Sequence, residues 1–322
     1  MSARKAIGLG FKVMVVAVGL SISFLIGAMA SGIGRQAPTP AGAAAATAAA
    51  HPSNMLLLLF VASLVQAIVV TYVVLEANWS GWKVAGALFL VSLNTWLQGA
   101  IEGPPYLRGR VSPSFSTQML IMGVVTSALF VPFAVWILGG FRRGPREVPV
   151  VRAHWSTARW AGTLAATTVA FVALYYLCGY YIAWQSAAVR QFYSGTTQIR
   201  SFWGQMASIW SSMPWMFPLQ AGRALLFVAL TLPAVRMLRG GAQRVALGTA
   251  LMYAAFDGSP GLIMPNPIMP PAVAHTHLVE LAVWGLLFGA FVGWSMRQGR
   301  AAEPAELQVG RASCRERVIT GV

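Results

Sequence analysis

The sequence predicts an all-α, polytopic membrane protein: a bundle of about eight transmembrane helices with one further amphipathic helix at the membrane surface. Apolar stretches long enough, or nearly long enough, to cross a bilayer recur along the 322-residue chain. A helix needs about 20 apolar residues to cross the hydrocarbon core, and lipid offers no partner to unpaired backbone groups. The composition agrees, since 57% of the residues are hydrophobic, 10% are charged and the mean hydropathy is +0.64.

The predicted transmembrane segments follow one another along most of the chain. In order they cover residues 6–33, 54–76, 83–101, 117–140, 160–184, 215–238, 244–264 and 277–296. Tryptophans such as Trp79, Trp82 and Trp160 stand at segment ends. The amphipathic indole ring anchors a helix at the membrane–water interface, so this placement supports the assignment.

The first segment has two interpretations. Arg4 and Lys5 precede an apolar run that ends in small residues, an arrangement that cleaved signal peptides share. The run over 13–30 is longer than a typical signal core, so we favour residues 1–33 as a retained helix or signal anchor. Cleavage would leave seven spans. The Ala- and Pro-rich residues 34–53 predict an extracytoplasmic linker to the main transmembrane domain, residues 54–300.

The segment between the fifth and sixth predicted spans is amphipathic. In its second half, apolar and aromatic side chains recur at helical spacing. They are Phe202, Met206, Ile209, Trp210 and Met213. We expect a helix that lies in the membrane interface with its aromatic face in lipid. A structural role at the membrane surface is favoured over that of a lid that covers a substrate.

The end of the chain looks foreign to the fold. Residues 310–318 read GRASCRERV, which resembles the translation of a sequencing adaptor. We therefore expect residues 301–322 to form a disordered tail and exclude it from the fold. Without Cys314 of this tail, Cys178 is the one cysteine left, so an intramolecular disulfide is excluded.

The formal charge of +15 indicates membrane orientation. One set of loops and flanks contains Arg4, Lys5, Lys83, Arg142, Arg143, Arg146, Arg152, Arg159, Arg236, Arg239, Arg244, Arg297 and Arg300. The opposite set contains only Arg35, Arg108, Arg110, Arg190 and Arg200. By the positive-inside bias, both termini are cytoplasmic. Arginine supplies 20 of the 23 basic residues, which we associate with a bacterial genome and therefore with the inner membrane. The expected partner of these charges is the lipid bilayer, and no nucleic acid.

Polar side chains enter four of the predicted helices at a similar depth. Asn94, Gln98 and Glu102 are spaced i, i+4 and i+8, so they share one helix face. The predicted orientation places the ionisable residues in the outer third of the membrane, where such groups are costly and tend to face the bundle interior. We therefore expect one outward-facing pocket for a small molecule or ion. The predicted binding residues are Asn94, Gln98, Glu102, Arg223, Asp257, His277 and Glu280.

Within this pocket we expect Arg223 to be the fixed cation and Asp257 and Glu280 its counter-ions. His277 would be the group whose charge changes between about pH 5 and 8. Under the alternative interpretation, Arg223 forms a structural ion pair with Glu280 or Asp257 that only fixes helix register.

No cofactor or metal is predicted. His275 and His277 are two residues apart, so on a helix they diverge by about 200°, and no HExxH motif is present. Cys178 lies among tyrosines without a histidine nearby in the sequence. We therefore favour a protein without catalytic activity.

Two features describe assembly. Gly285, Gly289 and Gly293 form a small-xxx-small stripe that allows another helix to approach closely, either within one chain or in a homo-oligomer. After Asp257, residues 258–261 read GSPG, which should interrupt the helix.

Three functional classes remain. A transporter or permease is favoured, because an interrupted helix beside a polar cluster is typical of transporter binding sites. An accessory or sensory membrane protein needs no such chemistry. A membrane-embedded enzyme would have to use Asp257, His277 and Glu280.

The charge distribution makes a testable prediction about topology. Reporter fusions after Arg159 and Arg244 should give a cytoplasmic signal, and fusions after Arg108 and Arg200 a signal on the opposite side. Activities of paired alkaline phosphatase and fluorescent protein fusions measure this. A cytoplasmic signal at Arg200 would contradict the assignment of the spans.

Overall fold

Helices make up nearly all of the part of the chain that the structure describes. The computed structural model describes residues 3–33, 52–107, 110–142, 144, 155–257, 260–264 and 268–297. The first helices are α1 (Ala3–Ser31), α2 (Pro52–Glu76), α3 (Trp82–Tyr106), α4 (Phe115–Ile137) and α5 (Thr157–Tyr181). They are followed by α6 (Ala187–Ser194), α7 (Phe202–Ser212), α8 (Met216–Met237), α9 (Ala242–Asp257), α10 (Pro260–Ile263) and α11 (Pro271–Arg297). Most of the predicted linker and the whole predicted tail lie outside the described residues.

Among the described residues, seven helices are long and apolar enough to cross a membrane: α1, α2, α3, α4, α5, α8 and α11. The predicted class, an all-α membrane protein, is thereby confirmed. The remaining predicted span, 244–264, corresponds to α9 and α10. With 16 residues, α9 is about 24 Å long, which is less than the hydrocarbon core of about 30 Å. It still runs between the two ends of the bundle, because it packs antiparallel to α11 along its length.

One end of the bundle is held together by the backbone. The Asn78 N–H donates to the Met237 carbonyl oxygen at 2.8 Å, and the Gly81 N–H to that of Gly140 at 2.9 Å. These bonds join the α2–α3 turn to the ends of α8 and α4. We call this the basic end, because its described cations include Arg4, Lys5, Lys83, Arg142, Arg159, Arg236, Arg239, Arg244 and Arg297. The opposite, outer end has the described cations Arg110, Arg190 and Arg200. Which compartment each end faces stays a prediction.

A bidentate ion pair also ties the basic end. Arg239 donates to both carboxylate oxygens of Glu76, at 2.8 and 3.0 Å. This hydrogen bonding raises the pKa of Arg239, so the guanidinium stays charged. Since Glu76 ends α2 and Arg239 follows α8, the pair fixes α2 against the α8–α9 turn.

The glycine stripe of α11 packs against α9. A β-carbon on Gly285 would lie 2.8 Å from the Ala254 nitrogen, and one on Gly293 would lie 2.7 Å from the α-carbon of Ala246. Glycine therefore brings the two backbones into contact over two helical turns. The stripe thus has a packing partner within the chain. The oligomeric state itself stays a prediction.

The first helix packs into the bundle. Val16 and Ala17 are fully buried, and the Ser21 hydroxyl donates to that of Ser63 on α2 at 3.0 Å. Gly19 and Gly27 lie directly against the side chains of α4, where a β-carbon would collide. The first helix is therefore in contact with α2 and α4, while its retention or cleavage stays a prediction.

Two short helices cover the outer end. The predicted amphipathic helix is present as α7, which has no buried residue, and Trp203 on it is 78% exposed. The shorter α6 was not predicted, because its eight residues are polar or small except for a few apolar ones. It is fixed by the buried Arg190, which donates to the carbonyl oxygens of Trp184 and Thr197 at 2.6 and 2.8 Å.

The α9–α11 contact makes a prediction about stability. Gly289→Ala should destabilise the fold by about 1–3 kcal/mol, because the added carbon would lie 2.6 Å from the Thr249 carbonyl oxygen and neither backbone can yield. The matched control is Gly162→Ala on α5, where nothing lies within 4 Å. Unfolding in mixed detergent micelles measures both. Equal stability of the two variants would contradict the close helix contact.

Candidate functional site

One face of α3 supplies the first part of a buried polar cluster. Asn94 and Gln98 are 2% and 1% exposed, and Glu102 follows one turn further toward the outer end. The Gln98 side-chain nitrogen donates to the Asn94 Oδ1 at 3.1 Å. Because the spacing is four residues, the three side chains stack along the helix and face α8.

Arg223 on α8 is the centre of this cluster. Its Nη2 lies 2.6 Å from the Glu102 Oε2, while its Nε donates to the Gln98 Oε1 at 2.8 Å. Its Nη1 donates to the Gln220 Oε1, one turn away on the same helix, at 2.7 Å. All three guanidinium nitrogens therefore have a partner, which is what allows an arginine that is only 7% exposed to remain charged in the bundle.

Two tyrosines extend the cluster toward the outer end. The Tyr175 hydroxyl on α5 donates to the Glu102 Oε1 at 2.7 Å, and the Tyr106 hydroxyl lies 2.7 Å from that of Tyr175. Sequence reasoning missed both tyrosines and Gln220. The i, i+3 spacing of Gln220 and Arg223 could have revealed the glutamine, whereas nothing in the sequence selects Tyr175 among its neighbouring tyrosines.

A second pair lies on α11. The His277 Nδ1 is 2.6 Å from the Glu280 Oε2, and the Tyr193 ring of α6 packs edge-to-face on His277 with the ring centres 5.6 Å apart. The same ring contacts Tyr106 at 6.0 Å, so Tyr193 links the two halves of the cluster. Burial, with the carboxylates of Glu280 and Glu102, raises the pKa of Tyr193, which keeps its phenol neutral.

The pairing of charges differs from the expected one. We expected Asp257 and Glu280 to be the counter-ions of Arg223. Among the described residues, Arg223 forms its ion pair with Glu102, and neither Asp257 nor Glu280 is within ion-pair distance. Asp257, at the end of α9, interacts with Arg223 electrostatically from further away. The rotation of each helix about its axis decides which carboxylate pairs with Arg223. The shared depth of these residues in the membrane does not fix that rotation.

Several buried polar atoms at the cluster have no hydrogen-bond partner in the structure. They are the Gln220 Nε2, the Tyr176 hydroxyl, the His277 Nε2 and the Trp284 Nε1. An unpaired buried donor costs about 1–3 kcal/mol, so such groups normally bind something. Within the described residues, no three His, Cys, Asp or Glu side chains lie close enough together to hold a metal ion.

Comparison with known proteins adds no function to this geometry. No protein-family model, no curated protein and no solved structure matches the chain. The class defined by the described residues is an integral membrane helix bundle with a buried charge cluster toward one end. Its specific function has to be inferred from that cluster.

The Arg223–Glu102 pair makes a prediction about energetic coupling. Arg223→Met or Glu102→Gln alone should cost about 3–5 kcal/mol, because each leaves a buried charge without its partner. The double variant should cost clearly less than the sum. Chemical unfolding in detergent measures all three free energies.

The matched control is Arg239 with Glu76 at the basic end, where the arginine is 35% exposed against 7% for Arg223, so the coupling should be about 0–1 kcal/mol. Arg223 and Glu280 should show no direct coupling. If the coupling of Arg223 with Glu280 exceeded that with Glu102, the ion pair described here would be wrong.

Proposed function

We propose that the protein is a transporter or permease and that the buried cluster binds a small cation or a proton. The observation that carries this proposal is an intramembrane cluster drawn from α3, α8, α9 and α11. Ionisable groups inside a membrane bundle are costly, and they commonly mark substrate, ion or proton pathways. A purely structural bundle of this size can be built without them.

The balance of charge supports a cationic substrate. The cluster has three carboxylates, on Glu102, Asp257 and Glu280, and one permanent cation, on Arg223. His277 can add a second positive charge only when protonated. With all three carboxylates ionised, negative groups outnumber positive ones in either state of the histidine, and the cluster then attracts a cation or a proton and repels an anion.

The interruption after α9 supports a site at this position. The helix ends at Asp257 and α10 begins at Pro260, so the carboxylate stands at a helix terminus. The C-terminal end of a helix carries the negative end of its dipole, and together with the carboxylate this end suits a cation. Interrupted helices contribute in this way to the coordination of ions in secondary transporters.

The second candidate is an accessory or sensory membrane protein. It is favoured by one observation, namely that every guanidinium nitrogen of Arg223 already has a partner within the protein. In that case the Arg223–Glu102 pair would act only as a lock between α3 and α8. A membrane-embedded enzyme is the weakest alternative. The thiol near the histidine–carboxylate pair, that of Cys178, is buried, and among the described residues it makes no hydrogen bond with His277.

Flux into proteoliposomes tests the proposal. Two probes are used: protons, followed with a trapped pH-sensitive dye, and radiolabelled methylammonium as a small organic cation. Vesicles with the wild-type protein should take up at least one probe faster than vesicles without protein. Glu102→Gln and Asp257→Asn should reduce uptake to the protein-free level, because each removes a negative charge from the cluster.

Glu76→Gln is the matched control, since this carboxylate lies at the basic end and should leave uptake unchanged. Unfolding curves of each variant show whether it is folded. Absence of uptake of both probes by the folded wild-type protein would contradict the transport proposal and favour the accessory protein. Uptake that Glu102→Gln and Asp257→Asn leave unchanged would place the site elsewhere.

A further inference from the structure

A groove between α3 and α8 lies at the basic end, far from the buried cluster. It has a volume of about 620 Å³. Its lining is formed by Trp79, Trp82, Lys83, Gly86, Ala87, Phe89, Leu90 and Pro233. Since α3 and α8 are both long enough to span the membrane, the groove opens sideways from the bundle at the level of the membrane interface.

We propose that this groove binds an anionic phospholipid, with an acyl chain along the apolar part and the phosphate at Lys83. The proposal is independent of the transport function. The lining of the groove is basic and aromatic at the interface and apolar further inward. A phospholipid has the same order, with a charged headgroup followed by apolar acyl chains.

The entrance of the groove is aromatic and basic. Trp82 is 73% exposed, and its ring packs edge-to-face on Phe141 of the segment after α4, with the ring centres 5.1 Å apart. Lys83 is exposed next to it, and Arg142 directly follows Phe141. Exposed tryptophan is typical of the headgroup level, and basic pockets between transmembrane helices bind anionic headgroups.

The inner part of the groove is apolar. Phe89 and Leu90 are half-buried on α3, and Pro233 closes the groove from α8. Gly86 leaves the floor open, because nothing lies within 4 Å of the position that its β-carbon would take. A side chain at position 86 would occupy the path of an acyl chain. This open glycine contrasts with the glycines of α11, which face another backbone.

Charge favours a lipid over a second copy of the chain. The basic end has at least seven described cations, and Glu76, a described carboxylate there, is already paired with Arg239. A second copy that docked with the same end would bring like charges together, whereas an anionic headgroup neutralises them. We therefore expect the ligand to be an anionic membrane lipid such as phosphatidylglycerol.

Native mass spectrometry tests the proposal. The full-length protein is placed in nanodiscs with equal amounts of phosphatidylglycerol and phosphatidylcholine, and the lipids retained on release are counted. The wild type should retain phosphatidylglycerol preferentially. Lys83→Ala should lower that preference about fivefold, which is what one basic residue contributes at a charged membrane surface. Gly86→Leu should abolish retention of the bound lipid, because it fills the groove.

Two control variants are matched in position. Lys5→Ala removes an exposed lysine from the basic end of α1, and Gly162→Leu adds a side chain to an open glycine near the basic end of α5. Both should retain lipid as the wild type does. Since Lys83 and Gly86 are exposed, their variants should unfold at the wild-type temperature, which a melting curve checks.

Three results would overturn the assignment. Retention that is the same in Gly86→Leu and Gly162→Leu would show that lipid binds elsewhere. If the wild type were a dimer and Gly86→Leu a monomer, the groove would bind a second copy of the chain. If Lys83→Ala left the preference for phosphatidylglycerol unchanged, Lys83 would not bind the headgroup.

Discussion

The charge of Arg223 is the constraint on which the outer half of the bundle depends. A guanidinium cannot remain ionised in a low-dielectric interior unless each of its nitrogens has a partner and a carboxylate balances its charge. α3 supplies Glu102 and Gln98, α8 supplies Gln220, and α5 supports the carboxylate through Tyr175. The positions of three helices are thus tied to a single side chain, and Tyr106 transmits the arrangement to the outer helix α6 through Tyr193.

The basic end is held by a different kind of interaction. There hydrogen bonds between the turns and the contact of Gly293 with α9 join the helices, beside the partly exposed Glu76–Arg239 pair. Such contacts depend on small residues and tolerate no added volume, but they need no buried charge. The bundle therefore combines an end with rigid backbone packing and an end whose packing depends on the ionisation of a few groups. This division is what makes the outer end the better candidate for function.

The positions of the helices along the chain could be predicted from the sequence far better than which helices and side chains contact one another. Length and apolarity alone locate a transmembrane helix, and the i, i+4, i+8 spacing already placed Asn94, Gln98 and Glu102 on one face. The partner of Arg223 could not be predicted, because depth along a helix axis says nothing about rotation or about which helices are adjacent. For the same reason the glycine stripe could not be assigned to α9. The short helix α6 escaped prediction because its order depends on Arg190, whose partners are backbone carbonyl groups of the neighbouring turns.

The length of α9 has a consequence for the surrounding lipid. The helix starts at Ala242 at the basic end, so its deficit of about 6 Å relative to the hydrocarbon core falls toward Asp257. Hydrophobic mismatch of this kind is relieved by local thinning of the bilayer. The leaflet at this end of the bundle would thin beside α9 and bring headgroups and water closer to the Asp257 carboxylate. Water would then reach the cluster over a short distance, and the thickness of the bilayer would affect how easily water and ions reach it.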